Sequence, residues 1–217
     1  MTAEIWKMIG SGVLETLQMT VISTILSYVI GLPLGILLVV TSKGHILQNR
    51  IVNGIVGTLM NILRSVPFLI LLVVLIPFTR FVTGSSIGTT AAIVPLTVGA
   101  IPIVARMVEA SLKEVPFGII EAAQSMGASP LSIIFRFLIP EAMPSLLSGA
   151  TINLATVLGY SAMAGCIGGG GLGAIALNYG YYRYQEDVLL ITVAILILIV
   201  QVFQEAGNLL ANKKRHS

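Results

Sequence analysis

The sequence predicts an all-α membrane protein with five transmembrane helices, and three observations predict it. The 217 residues are 56% hydrophobic and only 10% charged, with a mean hydropathy of +0.98, whereas a soluble domain carries about 25% charged residues. Five apolar runs reach the roughly 20 residues that cross a bilayer. Lys and Arg are dispersed and mostly flank those runs, so the net charge of +3 reflects membrane topology and not a nucleic-acid-binding face.

Span one covers residues 14–40. It is too long for the core of a signal peptide and no small-residue cleavage site follows it. Gly31-Leu-Pro-Leu-Gly35 within it is a small-xxx-small pattern beside a proline, which reads as close helix packing and a kink. Span two, 51–79, is apolar apart from Asn53, Asn61, Arg64, Ser65 and a few small residues. Span three, 89–110, contains Pro95 and Pro102, tolerated in lipid because neighbours satisfy the freed backbone. Spans four and five cover 144–164 and 187–210. The whole chain, 1–217, reads as one membrane domain, with lipid as its surroundings.

Counting Lys and Arg in alternate loops sets the direction. One side holds Lys43, Arg50, Arg106, Lys113, Arg136, Lys213, Lys214 and Arg215, and the other Lys7, Arg80 and Arg183. The first side is therefore expected in the cytoplasm, with the N-terminus outside and the C-terminus inside. Residues 117–141 then form a cytoplasmic loop between spans three and four. No Asp or Glu occurs from Thr16 to Val108 or from Ala142 to Gln185. Ion-driven carriers generally place ionisable ligands at membrane depth, so energy for uphill transport is expected to enter from outside this domain.

The loop 119–144, IIEAAQSMGASPLSIIFRFLIPEAMP, breaks the apolar pattern. On helical spacing Ile119, Ile120, Ala123 and Met126 share one face and Glu121, Gln124 and Ser125 the other. Gly127 supplies a helix C-terminus, and Ser129-Pro130 an N-cap followed by proline at the first helical position. A second turn buries Ile133, Ile134, Phe137 and Leu138, shows Ser132 and Arg136 outward, and ends at Pro140. The plainer reading is a helix pair lying on the headgroups.

The residues E121-A122-A123-x3-G127-x9-F137-x-I139-P140 are similar to the EAA loop of ABC importer permeases, which ends in I-x-L-P. Phe137 and Ile139 depart from that ending while keeping bulk. The resemblance implies type I importer architecture, in which this loop forms the coupling helices seated on the ATP-hydrolysing subunit. Glu121, Ala122, Ala123, Ser125, Gly127, Arg136 and Pro140 are then the coupling residues, with the two alanines allowing close approach. VPLTVGAIPIVARMVEASLKEVP (94–116) and ATVLGYSAMAGCIGGGGLGAIALNYGYYRY (155–184) resemble the permease subunit of methionine importers. That resemblance implies a permease homodimer, two cytoplasmic ABC ATPases that bind ATP and magnesium, an extracytoplasmic substrate-binding lipoprotein, and a place in the bacterial inner membrane. No cofactor is expected in this chain, and it is not expected to be an enzyme, since it has no G-x-x-x-x-G-K-[ST].

Candidate path residues follow. GYSAM, 159–163, reads either as small-residue helix packing or as a path lined by Tyr160, Ser161 and Met163, with Met163 gating against its dimer mate. Asn153 either bonds a neighbouring helix or lines the path. Arg64 either meets a substrate carboxylate or is tied to carbonyls such as that of Leu63, freed by Pro67. N61-x-x-R64-S65-V66-P67 resembles the E-x-x-R-G-T-P segment of amino-acid permeases, with Asn61 in place of the acid. Glu109 and Lys113 form an i,i+4 pair read as a solvated face. GGGGLG, 168–173, contains G-x-G-x-x-G but follows a membrane helix, so it is no dinucleotide site. The single Cys166 and the separated His45 and His216 offer neither a disulfide nor a metal set. An ion-coupled secondary amino-acid transporter is the rival reading, and a membrane enzyme lacks any catalytic constellation.

Overall fold

A computed structural model describes residues 3–215, with side chains described through Lys213. The described residues are predominantly helical and contain no strand. The side chains of Lys214 and Arg215, counted above for topology, and His216, set aside as a metal ligand, lie outside what is described.

The helices run α1 (Ala3–Val40), α2 (Arg50–Ser65), α3 (Phe68–Val74), α4 (Ile76–Thr83), α5 (Thr89–Lys113), α6 (Phe117–Ser125), α7 (Pro130–Ile133), α8 (Ile139–Glu141), α9 (Met143–Ala164), α10 (Gly171–Ile175) and α11 (Glu186–Arg215). Four of them, α1, α5, α9 and α11, are long and apolar enough to cross a membrane alone. A fifth crossing exists only if α2 and α3 are taken together. Span two, read as continuous over 51–79, instead stops at Ser65 and bends sharply before Phe68. Pro67 explains this, because it lacks an N–H, clashes with the carbonyl four residues back and drives Val66 out of the α region. Pro67 itself is extended at φ −55° and ψ 133°. Helix α1 begins earlier than the apolar run, and its 38 residues make a rod of about 57 Å, well beyond the hydrocarbon thickness.

The chain divides into two compact units. The first comprises Met1–Leu26, Val66–Ala100 and Asn153–Glu205. Its core is Met19, Phe68, Leu71, Leu72, Leu96 and Val157, with a second cluster of Ile9, Leu172, Ile175 and Val188. The glycine-rich segment after α9, which reads as a loop in sequence, folds into a 3-10 turn at Gly165–Ile167, α10, and a π-helical turn at Ala176–Tyr181. Gly168, Gly170 and Gly171 hold positive φ of 85°, 82° and 75°, the left-handed region that glycine enters without a Cβ penalty. Glu15 pins this turn, its Oε2 accepting the Gly171 N–H at 2.7 Å, while Thr16 Oγ1 accepts the Leu172 N–H at 2.9 Å.

The second unit comprises Ser27–Ser65, Ile101–Ile152 and Ala206–Ser217. Here the Gly31/Gly35 pattern packs α1 against α5. A Cβ on Gly31 would stand 2.7 Å from Val104 Cβ, and one on Gly35 would stand 2.6 Å from the Ala105 carbonyl oxygen. Its main core joins Val39, Val104, Val108 and Leu112 to Ile120, Ala123, Ile133 and Leu138 of the 117–141 segment. That segment is therefore built onto the helical core and is not merely laid on headgroups.

Candidate functional site

Residues 117–141 form a helix, a left-handed turn and a second helical stretch. Helix α6 buries Ile120 and Ala123. Gly127, at φ 75°, turns the chain out of it, and Ala128 N–H reaches back to the Ala123 carbonyl at 3.0 Å. Ser129 caps α7, accepting the Ser132 N–H at 3.4 Å, as the Ser-Pro pattern predicts. Ile133, Ile134 and Leu138 then go into the core.

Three details differ from the sequence reading. Ala123 is fully buried at 0% exposure, so it packs inward and does not offer itself to a partner; Ala122 is the exposed alanine. Met126 is 72% exposed and does not join the inner face, because the helix ends at Ser125 and the turn swings the side chain out. Pro140 does not end the helix. The chain takes a π-helical turn over Ile134–Leu138 and passes through α8, the wider turn accommodating a proline that cannot donate to the preceding turn.

The outward face carries Glu121, Ala122, Ser125, Met126, Leu131, Phe135 and Arg136. Leu131 and Phe135 are 67% and 64% exposed. An exposed apolar centre with charged flanks is the composition of a protein-docking patch.

The loop before α2 braces this segment. The His45 ring meets Phe117 edge-on at 6.3 Å. Burial, and then the Lys113 ammonium, hold the His45 imidazole below its ordinary pKa of 6.5. The folded state thus prefers the neutral ring, and its contribution to stability is complete above about pH 6.5 and is lost as pH falls below it. Thermal unfolding in detergent is expected to show a lower midpoint at about pH 5.5 than at about pH 7.5. His45→Gln should flatten that difference; an unchanged pH dependence would contradict the assignment.

Two expectations about charge also change. Glu109 is not on a solvated face. It is buried, bound by Arg106 Nη1 at 2.6 Å and by Lys113 Nζ at 2.6 Å. Arg64 is exposed and has no carbonyl partner among the described residues. Arg106 is the arginine that engages a carbonyl, donating from Nη2 to Gly57 O at 2.9 Å and to Asn61 Oδ1 at 2.7 Å. The signal for this was present in sequence as Arg106, Glu109 and Lys113 on one helical face, but the partner on α2 lies 45 residues away.

Of the path candidates, Tyr160 is half-buried and stacks on Phe68, with centroids 3.9 Å apart and planes 5° apart. Ser161 is buried, its hydroxyl donating to the Leu158 carbonyl at 2.7 Å. Asn153 is fully buried. Gly159 and Met163 are exposed four residues apart on one face of α9, and Cys166 is exposed in the 3-10 turn that follows it. Among the described residues no group of three His, Cys, Asp or Glu side chains lies close enough to hold a metal.

The family of binding-protein-dependent transport system inner membrane components matches residues 31–211. The chain belongs to this family. Within it, the chain is 50% identical over 202 residues to a probable D-methionine transport system permease protein MetI of Vibrio cholerae, covering 93% of this chain and 90% of that protein. The D-methionine transport system permease protein MetI of Escherichia coli is 56% identical over 154 residues, 71% of each. The solved structure of the MetNI methionine ABC transporter in an inward-facing conformation superposes with a TM-score of 0.97 at 48% identity, covering 99% of both chains. An amino acid ABC transporter at 22% identity shares the fold, with a TM-score of 0.79. The expected fold class, an all-α inner-membrane importer permease, is the one observed.

Proposed function

We propose that this chain is the permease subunit of an ATP-driven methionine importer. As a homodimer it would form the translocation path, take substrate from an extracytoplasmic binding lipoprotein, and receive the work of two cytoplasmic ABC ATPases. The observation that carries this reading is the outward face of 117–141. Its exposed Ala122, Met126, Leu131 and Phe135, flanked by Glu121 and Arg136, stand on a rigid inner face of Ile120, Ala123, Ile133 and Leu138. The N-terminus is outside and the C-terminus cytoplasmic, by the Lys and Arg asymmetry. ATP and magnesium are held by the partner, and this chain contributes no catalytic group. Substrate specificity is taken from the relatives.

The path residues divide by accessibility. Met163 and the half-buried Tyr160 are assigned to face it, and the exposed Arg64 is assigned to a substrate carboxylate. Ser161 and Asn153 shape it from within the chain. The exposed Gly159 and Met163 of α9, with Cys166 in the turn after it, are assigned to the dimer axis. Mild copper-phenanthroline oxidation is accordingly expected to give a species of twice the monomer mass through Cys166, absent in Cys166→Ser. Failure to crosslink in the assembled complex would move the axis off this face.

The test of function is reconstitution into liposomes with the ATPase and the binding protein. Methionine uptake should require ATP and persist without an ion gradient. Uptake driven by a sodium or proton gradient in the absence of ATP would overturn the reading.

A further inference from the structure

Helix α5 ends at Lys113, and only Glu114, Val115 and Pro116 separate it from α6, the first coupling helix. Arg106, Glu109 and Lys113 lie at i, i+3 and i+7, on one face of α5. Both oxygens of Glu109 are used on that helix, Oε2 by Arg106 Nη1 and Oε1 by Lys113 Nζ, each at 2.6 Å. The guanidinium is thereby fixed with Nη2 turned to α2, where it holds the Gly57 carbonyl at 2.9 Å and Asn61 Oδ1 at 2.7 Å. Asn61 precedes Arg64 by one helical turn and α2 ends at Ser65.

We propose that Arg106 is a positioning residue for transport, locking α2 to α5 through Asn61 so that displacement of the coupling helices carries the Arg64 end of α2 with it. The proposal rests on the coupling role assigned above to residues 117–141. Three features support it. All the groups belong to the same compact unit of the chain. Glu109 is 12% exposed and Arg106 24%, so solvent screens this pair far less than a surface pair. The planar fork of arginine satisfies two helices at once, which the single ammonium of lysine cannot do. Gly57 lies beside the guanidinium, and a Cβ there would make only ordinary contact with Arg106 Nη2, at 3.6 Å.

A purely structural tie would change stability and leave the work obtained per ATP untouched, and the two roles separate on that quantity. Asn61→Leu removes the acceptor at similar volume, and Asn61→Asp keeps it in the same shape. In proteoliposomes containing the ATPase and the binding protein, Asn61→Leu should bind the ATPase and hydrolyse ATP as wild type does. Its methionine transported per ATP should fall at least about fivefold, the low end of a typical coupling energy. Asn61→Asp should retain the wild-type ratio, and Arg106→Lys should fall between them. An unchanged ratio in Asn61→Leu, or an equal loss in Asn61→Asp, overturns the proposal.

A second measurement does not depend on transport. Nitroxides on Gly54→Cys and Ala110→Cys, both exposed positions, are introduced in one protomer of an assembled complex in which Cys166→Ser removes the native thiol from both, the partner protomer carrying neither new cysteine. The distance distribution between them should be narrow and unaffected by nucleotide. In Asn61→Leu it should broaden or shift with nucleotide, and a distribution identical to wild type would refute the lock. If the wild-type complex transports no methionine, the substrate assignment fails while this distance still decides the role of Arg106.

Discussion

A leucine at Gly173 is expected to lower the melting temperature of the permease sharply. A Cβ at this position would drive into the backbone of Ala162, with the Ala162 carbonyl carbon at 2.7 Å. Backbone on both sides of the contact cannot rotate away as a side-chain end can. The same approach recurs from the opposite wall, where a Cβ on Gly165 would come within 2.7 Å of the Gly173 carbonyl carbon. Overpacking typically costs about 1–3 kcal/mol and occasionally more, a large share of a total stability of roughly 5–15 kcal/mol. Gly10→Ala is the matching control, since nothing lies within 4 Å of a Cβ there. Alanine in a helix is favoured over glycine by about 0.5–1 kcal/mol, so that variant should be as stable as wild type or slightly more so. Size-exclusion profiles and melting in detergent measure both, and a well-folded Gly173→Leu would contradict the packing described for α9 and α10.

The second large effect separates two neighbouring alanines. Ala123 is fully buried among Ile120, Ile133 and Leu138, so Ala123→Leu should lower the melting temperature of the permease itself. Ala122 is exposed, so Ala122→Arg should leave melting unchanged. It should instead weaken association with the ATPase by about 2 kcal/mol, the effect of disturbing a central interface residue, or roughly 30-fold in affinity. A reversed pattern, with Ala122→Arg destabilising and Ala123→Leu neutral, would mean that the loop presents its other face.

The long helices were legible because lipid demands length and apolarity of a kind no other setting does. The turn at Gly127 and the Ser129 cap were legible because each is a local rule of backbone chemistry. What escaped was decided by contacts distant in sequence. Nothing near Glu15 says that its carboxylate will hold a glycine turn 156 residues on. Nothing near Arg106 says that its second amino group will find Asn61. Pro67 was visible as a perturbation, yet whether a proline kinks, breaks or merely rides along a membrane helix depends on its neighbours. Pro95 and Pro102 stay inside α5 while Pro67 ends α2. Pro140 shows a third outcome, accommodated by a π turn.

The measurement that bears most directly on the coupling account compares wild type, Glu121→Lys and Gly127→Asp in the reconstituted complex, reading ATPase pull-down, ATP hydrolysis and methionine uptake together. Glu121 is exposed on the outward face, and Gly127 sets the turn between the two helical pieces at positive φ. The account predicts that assembly, or stimulated hydrolysis together with uptake, is lost in both variants. Variants that assemble, hydrolyse ATP and transport as wild type does would contradict it.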